Sequence, residues 1–226
     1  MINTTQGLKM DNLRLNLVMT LGGLIVAISV HEFAHVAMAR FLGDKTGEQM
    51  GRFTLNPMSH VDPIWTVALP AVLIIASSVS SGGMPIFAAG KPSPYNPNFL
   101  KRKFFGKPLR VRTAEALVAM AGPVSNLIMA FLLLGVLKYS GLALMGLLQP
   151  FIVINVSLFV FNLIPVPPLD GTKVLLAILP RHLADKYEGF APQLSWMLLI
   201  VILFGGGAVV GLGVRTILIG MSWLLM

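Results

Sequence analysis

LNLVMTLGGLIVAISVHEFAHVAMARFL, residues 15–42, is an apolar run that carries two histidines and a glutamate near its end. A bilayer's hydrocarbon core is about 30 Å thick and takes about 20 helical residues to cross. A helix over this run is long enough to span, and Gly43 and Asp44 stop it. Ionisable groups inside such a segment are costly and mark function by default. The fold therefore reads as a membrane protein whose first helix brings chemistry into the lipid.

The rest of the composition agrees. Hydrophobic residues make up 55% of the 226 and charged residues only 12%, with a mean hydropathy of +0.80; soluble domains carry about 25% charged residues. The net charge of +8 comes from basic residues between apolar blocks, where the positive-inside rule and anionic headgroups explain them. The expected surroundings are a lipid bilayer, with no nucleic acid as partner. The absence of cysteine excludes disulfides, iron–sulfur clusters and thiolate zinc sites. MINTTQGLKMDNLRL at the start lacks a cleavable signal pattern, since the apolar run behind it is long and holds His31 and Glu32; the expectation is a retained helix.

Further along, GRFTLNPMSHVDP (51–63) has a short F-T-L core with Gly and Pro flanks, which predicts a strand or hairpin. Ile64–Val79 is a short apolar block with Pro70, followed by SSGGMPIFAAGKPSPYNPNF, too rich in Gly and Pro for a regular helix. That block either crosses the bilayer or dips in and returns. After a basic run, Lys101 to Arg112, helices are predicted over about 113–138 and 142–164, and a short one over 172–179. Three prolines in NLIPVPPLDG (162–171) end the second of these. The block 194–226 gives one or two closing segments. The expected architecture is an all-α polytopic membrane protein of about five to six transmembrane or re-entrant segments. A short β-hairpin-like loop follows the first helix, and residues 1–226 form a single domain with its core over about 15–180.

Residues i and i+4 share a helical face, so His31 and His35 can offer two imidazoles to one metal, with Glu32 beside them. This is the HExxH arrangement of zinc hydrolases, with Glu as general base. A zinc cation would offset the cost of burying these groups. A catalytic zinc site needs a third protein ligand and an open position. Asp170, in PPLDG, adjoins apolar blocks on both sides. It also stands where an N-cap for the next helix belongs; the need for a third ligand favours zinc. Glu115 is the rival, and pairing with a helix dipole in a first turn explains it. His60 reads as a loop residue bonded to Asp62, and His182 as solvated. Ser77, Ser78, Ser80 and Ser81 could line a path for water.

These motifs resemble the site-2 protease family of intramembrane zinc metalloproteases, in its small form without PDZ or CBS domains. HEFAH (31–35) is similar to the family's first motif and NLIPVPPLDG (162–171) to its second. AGPVSN (121–126) looks like its Gly-Pro-x-x-Asn element, and GRFTLNPMSHVDP and GKPSPYNPNF (90–99) look like loops of its small members. Trp65 departs from the Gly that those members often carry. The resemblance implies that His31, His35 and Asp170 bind zinc, that Glu32 is the catalytic base, and that the zinc lies nearer the cytosolic face. That depth favours the re-entrant reading of Ile64–Val79, with the N-terminus outside.

The implied reaction is hydrolysis of a peptide bond in or near a transmembrane segment of a protein substrate, in the cell membrane of a prokaryote. Unwound substrate backbone in lipid needs hydrogen-bond partners. Asn162 and Asn126 are the expected substrate-binding amides, against a role as packing glue between helices, and the GRFTLNP strand could offer an edge. The competing readings are a zinc transporter, which would string several ligand clusters across the membrane, and a catalytically silent membrane chaperone on the same scaffold. Substrate identity and oligomeric state are not legible.

Overall fold

A computed structural model describes residues 4–79, 88–100, 103–104, 106–140, 144–204 and 206–225. The chain is built of helices: α1 (Thr4–Phe41), α2 (Thr46–Gln49), a 3-10 turn (Pro57–Ser59), a π-helical turn (Pro63–Ala68) running into α3 (Leu69–Val79), α4 (Val111–Ser140), α5 (Met145–Asn162), α6 (Gly171–Ile178), α7 (Arg181–Gly189), α8 (Ala191–Phe204) and α9 (Gly206–Leu225). Two-residue strands β1 (Lys103–Phe104) and β2 (Lys107–Pro108) pair antiparallel.

Among the described residues, three helical stretches are long and apolar enough to cross a membrane: Leu15–Phe41, Val111–Ser140 and Met145–Asn162. Pro63–Ala76 and Val210–Trp223 are shorter apolar helices. α4 is the hub and packs against α1, α5 and α6. Where α1 ends and α4 begins, Ala39, Leu42, Leu100, Ala114 and Val118 form one buried cluster. Ala130 of α4, Ile152 and Val156 of α5, and Val214 and Met221 of α9 form another.

The end of α1 is fixed by polar chemistry. Gly43 takes a positive φ of 101°, a conformation that side chains resist. Asp44 is then fully buried, and its carboxylate accepts from Thr46 N, Thr46 Oγ1 and Asn96 N at 2.6–3.0 Å. A buried carboxylate is tolerable only with such donors. The last of them ties the proline-rich segment around residue 96 to the foot of α1.

The hairpin expected over residues 51–63 does not form. Side chains there take over backbone groups that a ladder would use. Asn56 Oδ1 accepts from Met58 N, Asp62 Oδ1 accepts from Ile64 N and Trp65 N, and His60 Nε2 donates to Thr54 O. No strand edge is offered by GRFTLNP, so the substrate edge expected there is absent. His60 is buried in this loop, and its partner is Thr54 O rather than Asp62.

Beyond α3 the chain is back at its starting level by residue 89. Ala89 N donates to Trp65 O at 3.2 Å, Thr66 Oγ1 to Ala89 O at 2.6 Å, and Lys91 N to His60 O at 2.7 Å. The excursion through Pro63–Val79 thus leaves and returns beside the same turn. Ser80 and Ser81, and the side chains of Ser77 and Ser78, lie outside the described residues. α7 interrupts the run to the closing helices and carries the exposed His182.

Candidate metal centre

Two helices and one proline-broken turn build the site. α1 is unbroken through HEFAH, so His31 and His35 stack one turn apart with ring centroids 4.6 Å apart, edge to face. Both are buried. The turn after α5 runs through Pro165, Pro167 and Pro168, with a cis bond between the last two, and brings Asp170 beneath the imidazoles. Asp170 Oδ2 lies 3.2 Å from His31 Nε2 and 3.4 Å from His35 Nε2. The three ligand atoms all fall within 4.8 Å of one another.

The two distances to Asp170 match the edge of a zinc shell. Bonds of about 2.0–2.1 Å at the tetrahedral angle put neighbouring ligand atoms about 3.3–3.4 Å apart. Hydrogen placement makes the fit stronger. His35 Nδ1 lies 2.8 Å from Val118 O; a carbonyl only accepts, so Nδ1 carries a hydrogen and Nε2 is the nitrogen left to meet a metal. His31 Nδ1 lies 2.6 Å from Asn126 Oδ1. The Asn126 amide nitrogen donates to Ala27 O at 3.1 Å and Asn155 Oδ1 at 3.0 Å, so its oxygen accepts from His31 Nδ1. Two imidazole Nε2 atoms and a carboxylate oxygen therefore converge with the far side of each ring already bonded, a donor set that suits a divalent cation.

Asp170 precedes α6, yet its side chain makes no cap hydrogen bond; the carboxylate turns to the histidines instead. Glu115, the rival ligand, stands in the second turn of α4 and not the first, because that helix begins at Val111. It accepts from the Tyr95 hydroxyl at 3.2 Å and Lys173 Nζ at 3.3 Å. Burial and the Glu115 carboxylate push the Tyr95 pKa up, which keeps its hydroxyl a donor.

Glu32 faces the proline-rich segment. The Ser93 hydroxyl lies 2.7 Å from Glu32 Oε2 and 3.0 Å from Glu32 O. Gly90 lets this segment lie against α1: a Cβ there would sit 2.6 Å from Ile28 Cγ2 and 3.3 Å from Glu32 Cγ.

Gly122 has the sharpest role in packing. A Cβ on it would stand 2.4 Å from His35 Nε2 and 2.6 Å from His31 Nε2, in the space between α4 and the two ligand atoms. Pro123 removes the amide that would bond Ala119 O and loosens the turn before it; Val118 O, in that turn, is the acceptor for His35. AGPVSN thus sets one wall of the site. Ser93, Gly122 and Asn155 were not singled out by sequence: Gly122 sat in a quoted motif, but nothing local in Ser93 or Asn155 points to the metal.

The two amides expected to meet substrate part company. Asn126 is fully buried, with both hydrogens of its amide nitrogen and its oxygen engaged by Ala27, Asn155 and His31, which leaves no polar group for a substrate. Asn162, at the end of α5, is half-buried and donates to Leu158 O at 3.0 Å.

Several known proteins are similar to this chain. A family model described as peptidase family M50 matches residues 140–205, the stretch that holds α5, the Asp170 turn and α6. The Bacillus subtilis (strain 168) protein named "Putative zinc metalloprotease YwhC" is 39% identical over 174 residues, which is 72% of this chain and 70% of the relative. Proteins named "Putative zinc metalloprotease Rip2" match at 28% identity in Mycolicibacterium smegmatis and 26% in Mycobacterium tuberculosis (strain H37Rv), each over 82% of this chain and 65% of the relative. The chain spans just under two thirds of those mycobacterial relatives. No solved structure matches.

Proposed function

From a chain that belongs to peptidase family M50, the site-2 protease family, we propose an intramembrane zinc metalloprotease that hydrolyses a peptide bond in or near a transmembrane segment. The observation that carries the reading is the meeting of His31 Nε2, His35 Nε2 and Asp170 Oδ2, with the other nitrogen of each ring held by Asn126 or Val118 O. The bacterial relatives support a prokaryotic cell membrane as its place of work.

His31, His35 and Asp170 would hold the zinc. When bound, zinc supplies Lewis acidity, which acidifies water and polarises a carbonyl oxygen. Glu32 is the base: it takes a proton from the attacking water and returns it to the leaving amine. Ser93 holds Oε2, so Oε1 is the oxygen we assign to that transfer. A substrate helix hides its carbonyls and must unwind locally before attack. Its freed backbone groups need partners inside the lipid, and Asn162 at the site's edge is the amide we assign to them. Asn126 is given no substrate contact.

The test is cleavage of single-span membrane proteins co-reconstituted with the wild type or with Glu32→Gln in liposomes. Cleavage that needs zinc and Glu32 is expected. A transporter would instead move zinc across the same liposomes; the described residues hold one group of three metal-ligating side chains, which speaks against a relay. Zinc flux without cleavage, or neither, would displace the protease reading in favour of a transporter or a silent scaffold.

A further inference from the structure

Asn155 sits in the middle of α5, 2% exposed and one helix away from the ligands. A buried amide with no role beyond packing would be a poor exchange for an apolar side chain, since each of its polar groups must find a partner. Here every bond has a direction. Phe151 O is a carbonyl, so it fixes the Asn155 nitrogen as donor at 2.8 Å and turns Asn155 Oδ1 away from it. That oxygen accepts from Asn126 Nδ2 at 3.0 Å, whose other hydrogen goes to Ala27 O at 3.1 Å. Asn126 Oδ1 is thereby aimed at His31 Nδ1, 2.6 Å away. The polarity of the chain is set at its far end by a backbone group and arrives at His31 as a hydrogen on Nδ1, which leaves Nε2 as the nitrogen that faces Asp170.

We propose that Asn155 is a positioning residue for the metal centre, acting through Asn126 to hold His31 in its Nδ1–H tautomer. The proposal rests on His31 being a zinc ligand. A free Asn126 amide could rotate by half a turn and offer its nitrogen to His31. The imidazole would then place its hydrogen on Nε2, where the metal belongs. Ala27 O opposes that rotation on one side and Asn155 Oδ1 on the other. The relay joins α1, α4 and α5 at one level, so the packing of three apolar helices and the ligand geometry depend on the same bonds. Partners outside the shell that orient a ligating histidine change metal affinity by about 10–100-fold when removed.

The experiment is zinc binding by the full chain in detergent, stripped of metal and titrated against a chromophoric chelator, with cobalt absorption as the spectroscopic check on ligand geometry. Asn126→Leu is expected to weaken zinc about 10–100-fold, and Asn155→Leu by a smaller factor, about fivefold, on the same grounds. Asn126→Leu/Asn155→Leu should bind no worse than Asn126→Leu alone, because the second residue works only through the first. Asn155→Asp keeps an acceptor oxygen toward Asn126 and should recover most of the affinity. If Asn155→Leu does not fold, Asn155→Ser takes its place in the same comparison. Wild-type affinity and an unchanged cobalt spectrum in the Asn155 variant, with only the melting temperature of the metal-free chain lowered, would overturn the proposal in favour of packing. Additive losses in the double variant would overturn it too. A wild type that takes up no stoichiometric zinc fails the protease reading itself, and this inference with it.

Discussion

The two sides of the proposed metal centre are built on different principles. On the inner side, His31 and His35 rest on α4 and α5, and Val118 O, Asn126 and Asn155 are buried and mutually bonded. On the outer side, Glu32 is met by Ser93 from a segment without regular structure, residues 88–96, which is half-exposed along most of its length. Ligands gain from rigidity, because a metal shell tolerates small errors in distance only. The base must pass a proton between two partners and leave room for a polypeptide, and loops positioned by a rigid scaffold do that work. The difference teaches that metal binding and proton transfer should be separable by mutation.

The largest expected effects break the inner side. Asp170→Ala should lose zinc and cleavage together, measured by metal content and by product on a gel. Gly122→Ala should do the same with all three ligands retained, because the added Cβ would stand 2.4 Å from His35 Nε2. Next comes the base: Glu32→Gln is expected to keep zinc at wild-type stoichiometry while cleavage falls by about 10²–10⁴-fold, the usual worth of general acid–base catalysis. A Glu32→Gln protein that lost its zinc would erase the separation between the two sides.

Smaller effects sharpen it. Ser93→Ala leaves Glu32 in place but frees its carboxylate, and kcat should fall roughly tenfold, the scale of modest misplacement of a catalytic group, with zinc affinity unchanged. The smallest effect is assigned to Lys173→Met. Its ion pair with Glu115 has the lysine 42% exposed, and such pairs contribute less than about 1 kcal/mol. A shift in melting temperature of a few degrees at most, with normal zinc and normal cleavage, would place that pair outside both halves of the site.

Much of the frame was legible in the residues. The apolar run 15–42 predicts the helix that carries HEFAH, and the helix is there, although it starts earlier, at Thr4; polar N-terminal residues extend a helix that apolar counting cannot see. The prolines of 165–168 end α5 as expected. The hairpin over 51–63 was misread because β-branched and aromatic content argued for a strand, while Asn56, His60 and Asp62 each found a local backbone partner that pays no ladder. The choice between Asp170 as cap and Asp170 as ligand stayed open in the sequence, since both readings use the same position before a helix.

Local period and length in the sequence carry the apolar helices that the structure places at Leu15–Phe41, Val111–Ser140 and Met145–Asn162, two histidines one turn apart, and a forced break before Asp170. Tertiary structure alone decided which of the scattered acids meets them, that Asn126 faces inward, and that Gly122, Ser93 and Asn155 belong to the site. Those contacts join residues separated by 139, 95, 61 and 29 positions. Side-chain period extends over a few turns of one helix and says nothing about which groups different helices bring together; that is set by how α1, α4 and α5 bury their faces against one another.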